Sequence, residues 1–351
     1  MNRKIITLTM AVAIILTMTG LAFGDWGDTS ITQIHGWLGK NKSQIAQDVD
    51  FGPYEVDVYQ NAGPLFVGND VTIGQKGAYI KAKLVQNAWG LSNDATICQI
   101  GDNLKTKVEQ EGLYNETVVH QWGSDNKIKI KQDAGGWFGG NTANIEQYAT
   151  ESKIKIKQES TGSKNEADVL QTGSSSEIKV KQEATSYNDL DIQQIGSGSH
   201  NKINLVQKAT GKRGWCGPST GYNEADIEQH GSCNKLVGAC TEKFQCNPCP
   251  NIEGTKAVVR WCKPAIQTGL YNELELYQSG CRNTVGLYQN ADNGFNKADI
   301  SQTNGGNTLA VYQDNPTGNN IVEVTQTGGQ EAYVYQGAGV GGGSLYVYQG
   351  M

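Results

Sequence analysis

The chain has 351 residues, only 37% of them hydrophobic, and a formal net charge of −6. That apolar content is low for a single globule of this size, and the modest negative charge does not favour nucleic acid overall. Low hydrophobicity with abundant Gly also suits a disordered chain, but a strict sequence period stands against disorder.

At the N-terminus, Asn2-Arg3-Lys4 precede an apolar run from Ile5 to Leu21, and Ala22-Phe23-Gly24 follow. This is the pattern of a secretory signal peptide over residues 1–24, cleaved before Asp25. The run is short for a membrane anchor. No second apolar stretch follows, so the mature chain is expected to be secreted without a transmembrane segment.

Thr29-Ile31-Gln33 opens a pattern that then recurs down the chain: Asn, five residues, Gln. It appears at Asn41–Gln47, Asn69–Gln75, Asn93–Gln99, Asn115–Gln121, Asn126–Gln132, Asn141–Gln147, Asn165–Gln171, Asn188–Gln194, Asn201–Gln207 and Asn223–Gln229. It resumes at Asn272–Gln278, Asn283–Gln289, Asn296–Gln302, Asn307–Gln313 and Asn320–Gln326. In NKIKIKQ, residues Asn126, Ile128, Ile130 and Gln132 share one strand face, and three Lys take the other. The amide–aliphatic–aliphatic–amide face is constant and therefore buried, whereas the other face varies. The apolar period of two excludes an amphipathic helix. No Pro occurs between Pro64 and Pro218, as a sheet interior requires.

Closing glutamines from Gln75 to Gln207 step mostly by 11 to 13 residues. A seven-residue strand then leaves a short turn such as Trp122-Gly123-Ser124-Asp125. Two strands and two turns make one coil, and stacked coils give two facing parallel sheets, an all-β solenoid. Buried amides one rung apart, about 4.8 Å, can hydrogen-bond in ladders and satisfy one another.

Six cysteines (Cys216, Cys233, Cys240, Cys246, Cys249 and Cys262) crowd one region, with Cys281 beyond it and Cys98 alone. In an exported chain disulfides are the default, and the pairing cannot be read from sequence. Cys246-Asn247-Pro248-Cys249 also resembles a metal or redox pair, but no second well-spaced pair accompanies it. In Asn234–Cys240 a Cys takes the usual Gln position, which suggests that the repeat enters this region before an interruption. The expected organisation is a repeat array over 25–207, a Cys-rich insertion over 208–266 and a second array over 267–351.

Outward Lys fall on alternate segments (Lys81, Lys105, Lys127, Lys153, Lys179), and acids such as Glu116, Glu166 and Asp191 fall between them. One sheet should be basic outside and the other acidic. Such faces serve solubility, or bind polyanions or the opposite face of a second solenoid. Outward Tyr just before Gln (Tyr59, Tyr277, Tyr288, Tyr312, Tyr335, Tyr348), with Tyr333 and Tyr346 as a second column, pack across strands or form a sticky lateral surface. None of His35, His120, His200 and His230 sits in a catalytic arrangement, and no phosphate loop is visible. An enzyme is not expected, and no cofactor is implied.

The unit Gln-x-Gly-x-x-Asn-x-aliphatic-x-x-x-Gln, present at Gln121 through Gln132, resembles the curlin repeat of bacterial curli fibres. The resemblance covers most of 27–349 outside the Cys-rich stretch. It implies a secreted functional amyloid of a biofilm matrix, exported through an outer-membrane pore and nucleated at the cell surface by a partner subunit. The chain would add head to tail to its own copies, as main subunit, nucleator or minor component. The rival from another class is a monomeric solenoid adhesin that uses the insertion as its binding head.

Overall fold

The computed structural model describes residues 7–10, 18–23, 29–34, 40–48, 53–63, 68–88, 92–136, 139–162, 164–195, 200–209, 222–230, 234–238, 265–268, 271–279, 283, 285–290, 295–304, 306–307, 309–314, 319–330, 332–335 and 344–349. Among the described residues the fold is all-β, with every strand pairing parallel. The chain divides into two compact units, 1–173 and 174–351.

The strands of the first unit are Thr7–Met10 (β1), Met18–Phe23 (β2), Thr29–Ile34 (β3), Asn41–Asp48 (β4), Tyr54–Ala62 (β5), Asn69–Lys76 (β6) and Ile80–Ala88 (β7). Ser92–Ile100 (β8), Lys105–Gly112 (β9), Tyr114–Gly123 (β10), Asn126–Ala134 (β11), Gly140–Ala149 (β12), Glu151–Ser160 (β13) and Lys164–Thr172 (β14) complete it. Odd strands stack in one sheet and even strands in the other. Consecutive strands therefore belong to opposite sheets and each coil contributes one of each, which is the expected β-solenoid. Residues 1–24, read as a leader, supply β1 and β2 here. Their backbone pairs in parallel with β3 and β4, as an extended apolar stretch beside an open sheet edge can.

In the second unit, Ser175–Ala184 (β15), Tyr187–Ile195 (β16), His200–Ala209 (β17), Tyr222–His230 (β18), Asn234–Gly238 (β19), Ala265–Thr268 (β20) and Tyr271–Ser279 (β21) continue the alternation, except that β19 and β20 both join the odd sheet, to which even-numbered strands belong from β20 onward. Leu287–Asn290 (β22), Phe295–Gln302 (β23), Leu309–Asp314 (β24), Asn320–Gln326 (β25), Ala332–Tyr335 (β26) and Ser344–Gln349 (β27) follow. One sheet runs β15-β17-β20-β22-β24-β26, and the other β16-β18-β21-β23-β25-β27.

The Cys-rich stretch 208–266 is not a single insertion. β18 is a full strand of the even sheet, paired with β16 and β21. β19 and β20 each cover half of β17: Asn201–Leu205 pair with Asn234–Gly238, and Val206–Lys208 pair with Ile266–Thr268. The interruption, 239–264, therefore falls inside one rung position, and the register resumes with Gln267 opposite Gln207.

The core is thin and regular. Ile73, Ile97, Ile128, Ile130, Ile145, Ile154 and Ile156 are fully buried at aliphatic positions of successive rungs. Burying such a side chain contributes about 1.5–3 kcal/mol. The turns from even to odd strands repeat one geometry. Gly101 and Gly123 have φ of +140° and +145°, and Asn103 and Asp125, two residues on, are left-handed at 58° and 54°. A Cβ on Gly123 would lie 1.6 Å from the Gly101 carbonyl oxygen, and one on Gly101 equally close to that of Gly77. The Gly in the repeat is thus required by the turn stacked beneath it.

Candidate functional site

The feature that organises the molecule is its set of buried amide columns. In the first unit the even strands carry an unbroken Asn column. Nδ2 of Asn41 donates to Asn69 at 2.7 Å, Asn69 to Asn93 at 2.7 Å, and Asn93 to Asn115 at 2.8 Å. Asn115 then donates to Asn141 at 2.9 Å and Asn141 to Asn165 at 2.8 Å. A Gln column on the same strands links Gln75, Gln99, Gln121, Gln147 and Gln171, each donating to the one before at 2.6–3.0 Å. The odd strands hold a second Gln column: Gln86 donates to Gln60, Gln110 to Gln86, Gln132 to Gln110 and Gln158 to Gln132, all at 2.9–3.0 Å.

The same amides also bridge the two sheets. Gln110 and Gln132 donate across the core to the backbone carbonyls of Glu116 (2.9 Å) and Thr142 (2.7 Å). Asn93 and Asn115 donate in the opposite direction, to the carbonyls of Glu111 (2.9 Å) and Asp133 (3.0 Å). Each of these four amides therefore joins rung to rung and closes its own rung at the corner. An apolar residue in either place would leave several buried groups unpaired.

In the second unit, Asn188, Asn223, Asn272, Asn296 and Asn320 form an Asn column along β16, β18, β21, β23 and β25, with separations of 2.7–3.1 Å. Gln229 donates to Gln194 and Gln278 to Gln229, whereas Gln302 donates to Gln326, so the direction of donation reverses between β21 and β23. In the other sheet Gln207 donates to Gln182 and Gln289 to Gln313, and Asn307, just ahead of β24, donates to Asn283, ahead of β22.

Asn126 departs from the expected ladder. It is buried, yet neither Nδ2 nor Oδ1 has a hydrogen-bond partner. It sits on an odd strand, where the first inward position reads Tyr54, Ile80, Asn126 and Ser152, and Ser152 is its neighbour in register. In the first unit the Asn column thus belongs to the even strands, whereas in the second Asn307 and Asn283 bond to each other ahead of β24 and β22. The side chain of Asn201 lies outside the described residues, as do all seven candidate disulfide cysteines, Cys216, Cys233, Cys240, Cys246, Cys249, Cys262 and Cys281.

Two hydroxyls in aliphatic slots were not singled out by the repeat. Thr106 donates to Gln99 Oε1 at 2.8 Å and accepts from Gln121 at 3.0 Å. Thr117 donates to Gln110 Oε1 at 2.7 Å. Thr at positions otherwise held by Ile, Val or Ala was the available signal.

The outer faces are more mixed than alternation alone implied. Lys105 lies opposite Lys127, and Lys129 opposite Lys155, so like charges do stack on the odd sheet. That sheet also carries acids that hold neighbouring lysines: Glu109 with Lys107 at 2.9 Å, Glu159 with Lys157 at 2.7 Å, Asp57 with Lys83 at 3.2 Å, and Glu55 with Lys81. A hydrogen bond from Lys107 holds the Glu109 carboxyl below its ordinary range, helped by the charges of Lys129 and Lys131. On the even sheet of the second unit, Asp191, Asp226, Glu275, Asp299 and Glu323 form one acidic column in register. Burial first, then the neighbouring acids, pushes the carboxyls of Asp191, Asp226 and Asp299 up.

The expected single Tyr column divides between the sheets. Tyr288, Tyr312 and Tyr335 are in register on odd-sheet strands, while Tyr277 is exposed on β21 beside Ser301. Tyr333 and Tyr346 pair with Ala310 and Glu323 on opposite sheets and form no column. On the even sheet of the first unit, Trp122 stacks between His120 and Tyr148, with ring centres 5.7 and 6.2 Å away. His120 Nδ1 lies 3.0 Å from Glu146. Cys98, on the same face, has its thiol pushed up by burial.

Among the described residues no three His, Cys, Asp or Glu are placed to hold a metal ion, and no helix is long and apolar enough to cross a membrane. The class this architecture defines is a parallel β-solenoid of two-strand rungs with internal amide ladders. No known family, curated protein or solved structure matches the chain.

Proposed function

We propose that this protein is a structural subunit of a secreted, curli-like amyloid fibre that assembles head to tail for biofilm matrix and surface adhesion. The observation that carries the reading is the in-register amide column. The even strands β8, β10, β12 and β14 present to one another an inward face that opens on Asn and closes on Gln in register, and the same parallel backbone edge. A rung of a second copy can satisfy that edge as well as a rung of the same chain, and such addition is open-ended. An outer-membrane export pore and a nucleating subunit are the partners this reading implies.

The experiment is assembly of purified, leader-free protein. The expected result is unbranched fibres that diffract at about 4.7 Å along the axis and about 10 Å across it. A monomer that persists at all concentrations would overturn the proposal. It would favour a solenoid adhesin displaying residues 239–264, a reading supported by the way β19 and β20 share one rung position.

A further inference from the structure

We infer that the lysine face of the first unit is a lateral docking surface for a second copy of this chain, which it grips by the acidic column of that copy's second unit. The inference rests on the fibre reading and adds to it a contact between fibres rather than within one. Five lysines of the odd sheet, Lys105, Lys127, Lys129, Lys131 and Lys155, are exposed and carry no ion pair with the acids around them. Lys105 lies opposite Lys127 and Lys129 opposite Lys155 on the adjacent strands β9, β11 and β13, so positive charge repeats from rung to rung. Stacking like charges this way costs repulsion between Lys105 and Lys127 and between Lys129 and Lys155, whereas Lys131 faces Glu109.

The acidic column has the complementary form. Asp191, Asp226 and Glu323 are exposed and Asp299 is half-exposed, one per rung on β16, β18, β25 and β23. Among the described residues, Glu275 alone in this column is held by a lysine, Lys297 at 2.7 Å. Because both columns are built on the same parallel ladder, both step by about 4.8 Å. The spacings are therefore commensurate, and each lysine can meet a carboxylate at every rung along the contact. Isolated surface pairs contribute little, but a repeated array in fixed register shares one ordering cost over many pairs. A polyanion with another charge spacing lacks this match.

The test compares fibres of the wild-type chain with two charge-reversed chains. The first carries Lys127→Glu, Lys129→Glu and Lys131→Glu, and the second carries Asp226→Lys, Asp299→Lys and Glu323→Lys. All six side chains point away from the core, so each chain should still form fibres. Wild-type fibres should bundle at low ionic strength and disperse into single fibres at about 1 M salt, where screening acts within about 3 Å. Each reversed chain alone should give single fibres, because its faces then bear one sign. Mixing the two preformed fibre types should restore bundles. Wild-type fibres that stay single at low salt, bundles that withstand salt, or a mixture that fails to bundle would overturn the inference and leave the fibre reading standing. Bundling that needs an added anionic polysaccharide would equally overturn it in favour of that ligand. Absence of any fibre would overturn both.

Discussion

Gln132 donates its side-chain N–H to Oε1 of Gln110 at 3.0 Å, one coil back in the chain, and its own oxygen accepts from Gln158 at 2.9 Å. Further donations reach the carbonyls of Asn115 and Thr142. Gln132→Leu removes all of these together. With each unpaired buried group costing roughly 1–3 kcal/mol, the loss should be about 3 kcal/mol or more. Denaturation midpoints and assembly rates should both fall. Gln44→Leu, at an exposed outward position, should change neither. Equal effects would show that the inward amides carry no special role.

Asn126 supplies the opposite prediction. Both of its polar atoms are buried and unpartnered, and on β7 of the same sheet Ile80 fills the equivalent first inward position with an apolar side chain. Asn126→Leu should therefore stabilise the chain by about 1 kcal/mol, by removing an uncompensated amide. Asn115→Leu, in an identical sequence setting, should destabilise it, since Asn115 bonds to Asn93, Asn141 and the Asp133 carbonyl. Chemical denaturation of the two variants side by side decides the matter.

The turn glycines give a steric test. Gly123→Ala places a methyl group against the Gly101 carbonyl in a backbone conformation that L residues rarely adopt. The cost should be about 1–3 kcal/mol from the backbone alone, and more from the clash. Gly135→Ala meets nothing within 4 Å and should be close to neutral. Thermal unfolding of the two variants separates a required turn from a tolerated one.

Stability should also depend on pH through the acidic column. The carboxyls of Asp191, Asp226 and Asp299 are raised by burial and then by neighbouring acids, so the folded chain binds protons that the unfolded chain has released. Stability from these groups is full below the ordinary carboxylate range and falls as pH rises through their raised values. Through these groups fibres should therefore resist denaturant better near the ordinary Asp range, about pH 4, than at neutral pH. Asp226→Asn should flatten that dependence and raise resistance at neutral pH. Glu109, held low by Lys107, acts in the opposite direction, and its contribution is lost only in stronger acid. A steeper pH dependence in the Asp226→Asn chain would contradict this account.

The period of two, the Gly in the turns and the constant inward face were legible in the sequence, because each is a local requirement of one strand or one turn. Asn115–Gln121 and Asn126–Gln132 satisfy that local pattern equally well. Their difference arises one coil away: the first Asn meets Asn93 and Asn141, while the second meets Ser152. The cysteine spacing likewise marked an interruption, but only the pairing of β19 and β20 along β17 shows that it opens within a single rung position. The lysines and acids were visible as alternating segments, yet which of them hold each other and which face outward unheld depended on the stacking. The sequence by itself determined the rung, since alternation along a strand is a property of neighbouring residues. Only the tertiary structure decided which rung lies on which, and so which buried amide finds a partner and which does not.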